Sequence, residues 1–279
     1  MPKLNLKNPE VEKYITDVAC YWIKECDIDG WRLDVGDEIS HFFWKNFRKA
    51  VKAVKKDLLI IGEIWHYAGD FLEGDEWDTV MNYPFYLNLI DLLADEKITV
   101  SQFVQNLGYL KGRLNKNCYP LMWNLIDSHD TARFLHLCND NKKKQHLAAA
   151  FQLLLPGMPM IYYGDEYAMP GANDPDCRRG MYWDEEYQDK EMYEWYKRLI
   201  QVRKSHACIV EGELAGIVTE DEEGTIVLIR KNGEETIAMI FNCSSSAKKF
   251  NEYTQKYNLL TENTFDGNVE GFDAAVIVL

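Results

Sequence analysis

No Cys-x-x-Cys pair occurs in this 279-residue sequence. The seven cysteines, at 20, 26, 118, 138, 177, 208 and 243, match no zinc-module spacing. An odd, scattered set reads as reduced thiols in a cytosolic protein rather than as a disulfide framework. No run approaches the roughly eighteen consecutive apolar residues that a membrane-spanning helix needs, so no membrane association is expected. The opening Met1-Pro2-Lys3-Leu4-Asn5 is not a signal peptide. No glycine-rich phosphate loop is present. Positive charge is also scarce: 31 Lys and Arg against 45 Asp and Glu leave a formal net charge of −14. That balance excludes the basic footprint that nucleic acid or an anionic membrane surface requires. His41 and His66 have no partners at metal-ligand spacing, and Asp27-x-Asp29-Gly30 followed by Asp34 has the wrong ligand order for a calcium loop. No metal and no cofactor are assigned.

Apolar and aromatic residues are plentiful. Hydrophobic residues make up 47 % and aromatics 13 %, with eight Trp and sixteen Tyr. That suits a large core, and it suits a ring-shaped neutral ligand equally well. From about residue 10 to 204, short apolar runs at 28–35, 58–65, 77–83, 121–126 and 159–163 alternate with helix-period stretches. Those stretches fall at 39–55, 85–95, 100–114, 142–155 and 190–204. Several runs are apolar nearly throughout, as strands buried on both faces must be, so the pattern predicts βα units around a parallel sheet. Beyond about 206 the pattern changes to strands at 214–219, 225–231, 235–242 and 274–279, broken by Asp221-Glu222-Glu223-Gly224 and Lys231-Asn232-Gly233. Asn-Gly between apolar runs is a hairpin signal. The expected division is residues 1–206 for the βα part and 207–279 for a small antiparallel β domain.

Three segments place carboxylates at the C-terminal ends of expected parallel strands. In Asp29-Gly30-Trp31-Arg32-Leu33-Asp34-Val35-Gly36-Asp37-Glu38, period two puts Arg32 and Asp34 on one strand face. A guanidinium there favours the ionised carboxylate, which suits a nucleophile. In Leu58-Leu59-Ile60-Ile61-Gly62-Glu63-Ile64-Trp65, Glu63 ends a run of branched apolar residues, the poorly solvated setting of a general acid. Asn124-Leu125-Ile126-Asp127-Ser128-His129-Asp130-Thr131 offers His129 and Asp130 at a strand exit. Each alone is more often structural, as an ion pair, a helix cap or a turn. Together, at ends where βα-barrel enzymes build their sites, they match the two-carboxylate scheme of retaining glycosidases.

These segments closely resemble conserved segments of the α-amylase family, glycoside hydrolase family 13. Met1–Asn5 and Gly171-Ala172-Asn173-Asp174-Pro175-Asp176-Cys177-Arg178 resemble segments of its neopullulanase, cyclomaltodextrinase and maltogenic amylase subgroup. The resemblance implies a retaining hydrolase or transglycosylase acting on maltooligosaccharides, cyclodextrins or pullulan. It implies Asp34 as nucleophile, Glu63 as general acid/base and Asp130 as the carboxylate that grips sugar hydroxyls. Arg32 and His129 would line the innermost sugar subsite, Trp65 would form an aromatic wall and Glu38 would shape the acceptor side. Asp174 and Arg178 would hold the next sugar outward, with a loop salt bridge an equal reading for Arg178. Structural calcium, known in some amylases, finds no site in this sequence.

The implied fold is the C-terminal part, about five βα units, of a TIM (β/α)8 barrel followed by a small antiparallel β-sandwich. A closed barrel needs eight units, so the first three strands and the Asn-His segment are expected to be missing. The 28–35 strand would then be an open edge inviting self-association or pairing with a chain that supplies the other half. A truncated piece of an ordinary enzyme, inactive alone, is the first reading, a short chain that assembles with such a partner the second, and a non-catalytic sugar-binding remnant the third.

Overall fold

In the computed structural model, which describes residues 3–279, the chain divides into two compact units. Met1 and Pro2 of the Met1–Asn5 segment lie outside the described residues. One unit runs up to Pro84 and includes Lys111–Trp123; the other comprises Phe85–Leu110 and Asn124–Leu279.

The first unit opens with a helix, Pro9–Cys26. Asn8 caps it by accepting from Glu10 N–H at 2.9 Å, and Pro9 occupies the first turn, where its missing N–H costs nothing. Three parallel strands follow in the order Gly30–Leu33, Leu59–Gly62, Thr79–Val80. Gly30 pairs with Leu59 and Leu33 with Gly62, and Ile61 pairs with Thr79. The helix between the first two strands, His41–Val54, starts at a Ser40 cap. It buries Phe43, Trp44, Phe47 and Val51, a spacing of three to four residues that lines one helix face. The Trp44 indole also donates to the Gly36 carbonyl at 2.8 Å. Each fully buried side chain of this kind contributes ~1.5–3 kcal/mol of hydrophobic stabilisation.

The strands are shorter than the apolar runs that predict them. Run 28–35 yields Gly30–Leu33, because Asp34 and Val35 turn out of the sheet and Val35 takes a left-handed backbone with φ 45°. Asp34 thus sits just past the strand end rather than within it. Gly30–Leu33 lies at the edge of its sheet.

In the second unit, helix Lys190–Ser205 buries the stripe Met192, Tyr196, Leu199 and Val202, whereas helix Lys142–Leu154 is buried on every side from Leu147 onward; Asn141 and Asp189 cap them. Asn124 C=O accepts from Met160 N–H at 2.8 Å, the remnant of ladder pairing in a region where regular strands are only two residues long. Beyond the helices lies a six-stranded antiparallel sheet. Its four long members are, in spatial order, Asp273–Val278, Glu235–Asn242, Thr225–Asn232 and Glu213–Glu220. Asn232 pairs with Glu235 across a tight hairpin where Gly233 has φ 60°, as the Asn-Gly signal predicts. Alternation sends Ile237, Met239 and Phe241 into the core shared with the helices, where Phe241 stacks on Phe151 at 4.3 Å. Ala238, Ile240, Ala275 and Ile277 face the other way and are covered by Phe250, Phe265 and Val269. Both faces of the strand Glu235–Asn242 and its neighbour Asp273–Val278 are therefore covered, whereas Glu213–Glu220 stays largely exposed.

Candidate active site

The first group of site residues grows from the ends of Gly30–Leu33 and Leu59–Gly62. Arg32 Nη1 donates to Asp34 Oδ1 at 2.6 Å, and Arg32 Nη2 lies 2.8 Å from Glu63 Oε1. The second is a charge contact whose N–H does not point along the bond, since Nη2 has no directed hydrogen-bond partner. One guanidinium thus bridges both carboxyls. Their surroundings differ sharply: the Asp34 side chain is 77 % exposed and that of Glu63 4 %. Glu63 Oε2 accepts Val35 N–H at 2.9 Å, its C=O accepts Gly36 N–H at 3.0 Å, and its N–H donates to Leu33 C=O at 3.0 Å. The two strand ends are therefore stapled together around this glutamate. Trp65 Nε1 reaches Glu63 Oε1 at 3.4 Å, and its half-exposed ring stacks on Tyr83 at 4.3 Å.

Spacing and composition do not single out the support beneath. Trp77 is fully buried, and a Cβ built on Gly62 would come within 2.2 Å of its ring, one on Gly36 within 2.6 Å. Those two glycines are there so that an indole can lie against the backbone under the site. Val35 is a β-branched residue in the left-handed region, a conformation that costs about 1–3 kcal/mol and collects at functional turns. The signal that could have revealed this support is the Gly-Glu and Val-Gly steps bracketing the carboxylates.

The second group forms inside the other unit. His129 Nε2 is 3.1 Å from Asp130 Oδ2. Arg178 Nη2 donates to Asp130 Oδ1 at 3.0 Å, and its Nε donates to the His129 C=O at 2.8 Å and contacts Asp174 Oδ1 at 2.6 Å. Asp174 and Arg178 are thus brought to His129 and Asp130, and Arg178 is more than a loop salt bridge. Glu38, whose N–H donates to Val35 C=O at 3.1 Å, is half-exposed and paired with Lys3.

The remaining sequence candidates have other partners. His41 Nδ1 bonds buried Glu76 at 2.9 Å and stacks on Phe71, while His66 Nδ1 is 3.9 Å from Asp37. Burial is the chief influence on Glu76 and pushes its carboxyl above the ordinary range, against the pull of His41. The Asp27-x-Asp29 loop is filled by Lys55 Nζ, which meets Asp27 Oδ1 at 3.0 Å, Ile28 C=O at 3.0 Å and Asp29 Oδ1 at 3.3 Å. An ammonium occupies the place of a cation. Among the described residues no cluster of His, Cys, Asp or Glu could hold a metal ion, and no helix is long and apolar enough to cross a membrane.

Residues 1–188 match the family model for the α-amylase catalytic domain. The chain belongs to the α-amylase family. A cyclomaltodextrinase from Geobacillus thermopakistaniensis is 47 % identical over 88 % of the chain, and an intracellular maltogenic amylase from Bacillus subtilis 44 % over 87 %. The fold is likewise that of a solved cyclomaltodextrinase, with a TM-score of 0.93 at 35 % identity over 99 % of the chain. Within that family the chain is similar to cyclomaltodextrinases, maltogenic amylases and a neopullulanase. The chain spans 42 % and 41 % of the two curated relatives' lengths and 50 % of the solved one.

Proposed function

We propose that the chain carries the chemistry of a retaining α-glucoside hydrolase or transglycosylase acting on maltooligosaccharides, cyclodextrins or pullulan. The observation that carries this reading is the single guanidinium of Arg32 bridging exposed Asp34 and buried Glu63. Two carboxyls of unlike solvation drawn to one cation suit a nucleophile and an acid/base about 5–5.5 Å apart. Glu63 gives its proton to the glycosidic oxygen while an Asp34 oxygen attacks the anomeric carbon, breaking the C–O bond and forming a glycosyl ester. The Glu63 carboxylate then takes a proton from water, or from a sugar hydroxyl, whose oxygen displaces Asp34. Asp130 and His129 grip sugar hydroxyls, Trp65 offers a stacking wall, Asp174 and Arg178 hold the next sugar outward, and Glu38 shapes the acceptor side. The chain works in the cytoplasm.

A second reading concerns assembly. Tyr14, Val18, Tyr21 and Trp22 are exposed on one face of helix Pro9–Cys26, and Gly30–Leu33 is an edge strand. Uncovered aromatic surface and an open strand edge in one unit favour a partner polypeptide that supplies the other half of the barrel.

The test is reducing-sugar release from β-cyclodextrin and maltotriose, with Asp34→Asn as control. Release that falls by about 10³-fold or more in Asp34→Asn, with the thermal midpoint unchanged, supports the reading. Equal release from both proteins overturns it. A folded chain with no release that gains activity on mixing with the preceding half of a relative's barrel selects the assembly reading.

A further inference from the structure

Beneath the His129–Asp130 turn lies a second arginine with two carboxyls, and no role in the proposed chemistry uses it. Asp127, Asp165 and Arg133 are all sealed from solvent. Asp127 Oδ2 accepts Phe134 N–H at 2.8 Å, and Asp165 Oδ1 accepts Arg133 Nη1 at 3.1 Å. The other two carboxyl oxygens, Asp127 Oδ1 and Asp165 Oδ2, have no donor, although the two side chains are within hydrogen-bonding reach of each other. Two acceptors cannot satisfy one another, and two buried anions against one cation leave an uncompensated charge. A proton between them removes both problems.

We propose that Asp127 and Asp165 share one proton at neutral pH and, with Arg133, form a charge-neutral latch that positions the turn carrying His129 and Asp130. The latch joins two loops. Asp127 closes the turn from below through Phe134, with Ser128 N–H bonded to Thr131 Oγ1 at 2.9 Å and Asp130 N–H to Ser128 Oγ at 3.1 Å. Asp165 belongs to the loop after Met158–Pro159, and its C=O accepts Gln145 Nε2 at 3.0 Å. Arg133 spans both: its N–H donates to Gly171 C=O at 2.9 Å, and its guanidinium lies 4.5 Å and 5.0 Å from the Tyr162 and Tyr163 ring centres. The groups facing the pair are Arg133, Glu166 on the Asp165 side, and the Tyr196 and Tyr86 phenols. Arg133 is the one cation among them, so nothing else offsets a second negative charge.

The electrostatics of the two carboxyls agree in direction. Burial pushes Asp127 up to about 6, and burial followed by repulsion from Asp127 pushes Asp165 well above the carboxylate range. Raised folded-state values mean that the protonated forms favour the fold. The contribution is complete below the ordinary value near 4 and declines as pH rises through about 6.

Infrared difference spectra of the whole chain test the proton without any need for turnover, so failure here is separable from failure of the glycosidase reading. A protonated-carboxyl stretch from labelled aspartate is expected at pH 7.5 and should vanish in both Asp127→Asn and Asp165→Asn. Either single amide replaces the shared proton with an N–H donor, so both variants should fold. The wild-type thermal midpoint should drop by about 3 °C more than that of Asp165→Asn between pH 5 and 7.5. The double Asn variant, with Arg133 left unpaired, should lose far more stability than the two singles summed. Amide exchange at residues 128–131 should quicken in Asp165→Ala but not in Asp165→Asn. Absence of the protonated band in wild type, or parallel pH curves for wild type and Asp165→Asn, overturns the proposal. If the variants fail to fold, the wild-type band alone decides.

Discussion

Arg32 and Arg133 each face two carboxyls, and solvent makes them different devices. Around Arg32, one partner stands in water and the other is sealed. Around Arg133 every member is sealed, water screens nothing, and only a neutral sum is tolerable. An arginine with two carboxyls thus stands half in water at a strand end in one place and wholly sealed in the other. Burial, not composition, separates them.

Replacing each arginine by methionine tests that contrast most severely. Arg133→Met leaves two buried carboxyls without their cation and is expected to cost ~3–5 kcal/mol in urea denaturation. Arg32→Met should cost about 1–2 kcal/mol, because Asp34 remains hydrated and Glu63 keeps Val35 N–H. Similar losses at the two positions would dissolve the distinction. A smaller effect is expected at the floor of the open site. Gly62→Ala drives a methyl into Trp77 and should cost ~1–3 kcal/mol, with near-ultraviolet circular dichroism reporting the displaced indole. Smallest of all, Val35→Gly relieves the left-handed strain and should change stability by about 1 kcal/mol or less, toward stabilisation. A large loss there would show that the valine side chain holds the Asp34 turn by packing rather than tolerating it.

Much of the fold is legible in the chain. The stretch 235–242 is read as a strand and is one, and the helix expected at 100–114 forms as Val100–Arg113. Period two and period 3.6 survive in any context that buries one face, and Asn-Gly or Asn-Pro steps punctuate locally. The helix Pro9–Cys26 carries readable signals in Asn8 and Pro9, yet its stripe is diluted by exposed Tyr14, Tyr21 and Trp22. Strand lengths are less legible. An apolar run records burial, whereas a strand also needs a partner, and residues such as Asp34, Val35 and Glu63 are buried or turned without one. The candidate carboxylates are visible because strand ends and apolar flanks mark them. Trp77, Tyr83 and the Asp127–Arg133–Asp165 group are not, since nothing adjacent in the chain advertises a contact made dozens of residues away.

The sequence by itself determined the alternation of βα units with a terminal β region, the net negative charge and the family, and it marked Asp34, Glu63 and Asp130 as candidates. Those follow from periodicity, composition and local motif, which are properties of neighbours along the chain. Only the tertiary structure decided that Arg32 touches two carboxyls, that Lys55 fills the acidic loop, that Arg178 reaches Asp130 and that a second carboxyl pair lies sealed under the turn. Solvation and partner choice are set by whatever the folded chain brings alongside. A carboxylate's chemistry depends on that surrounding, not on its place in the sequence.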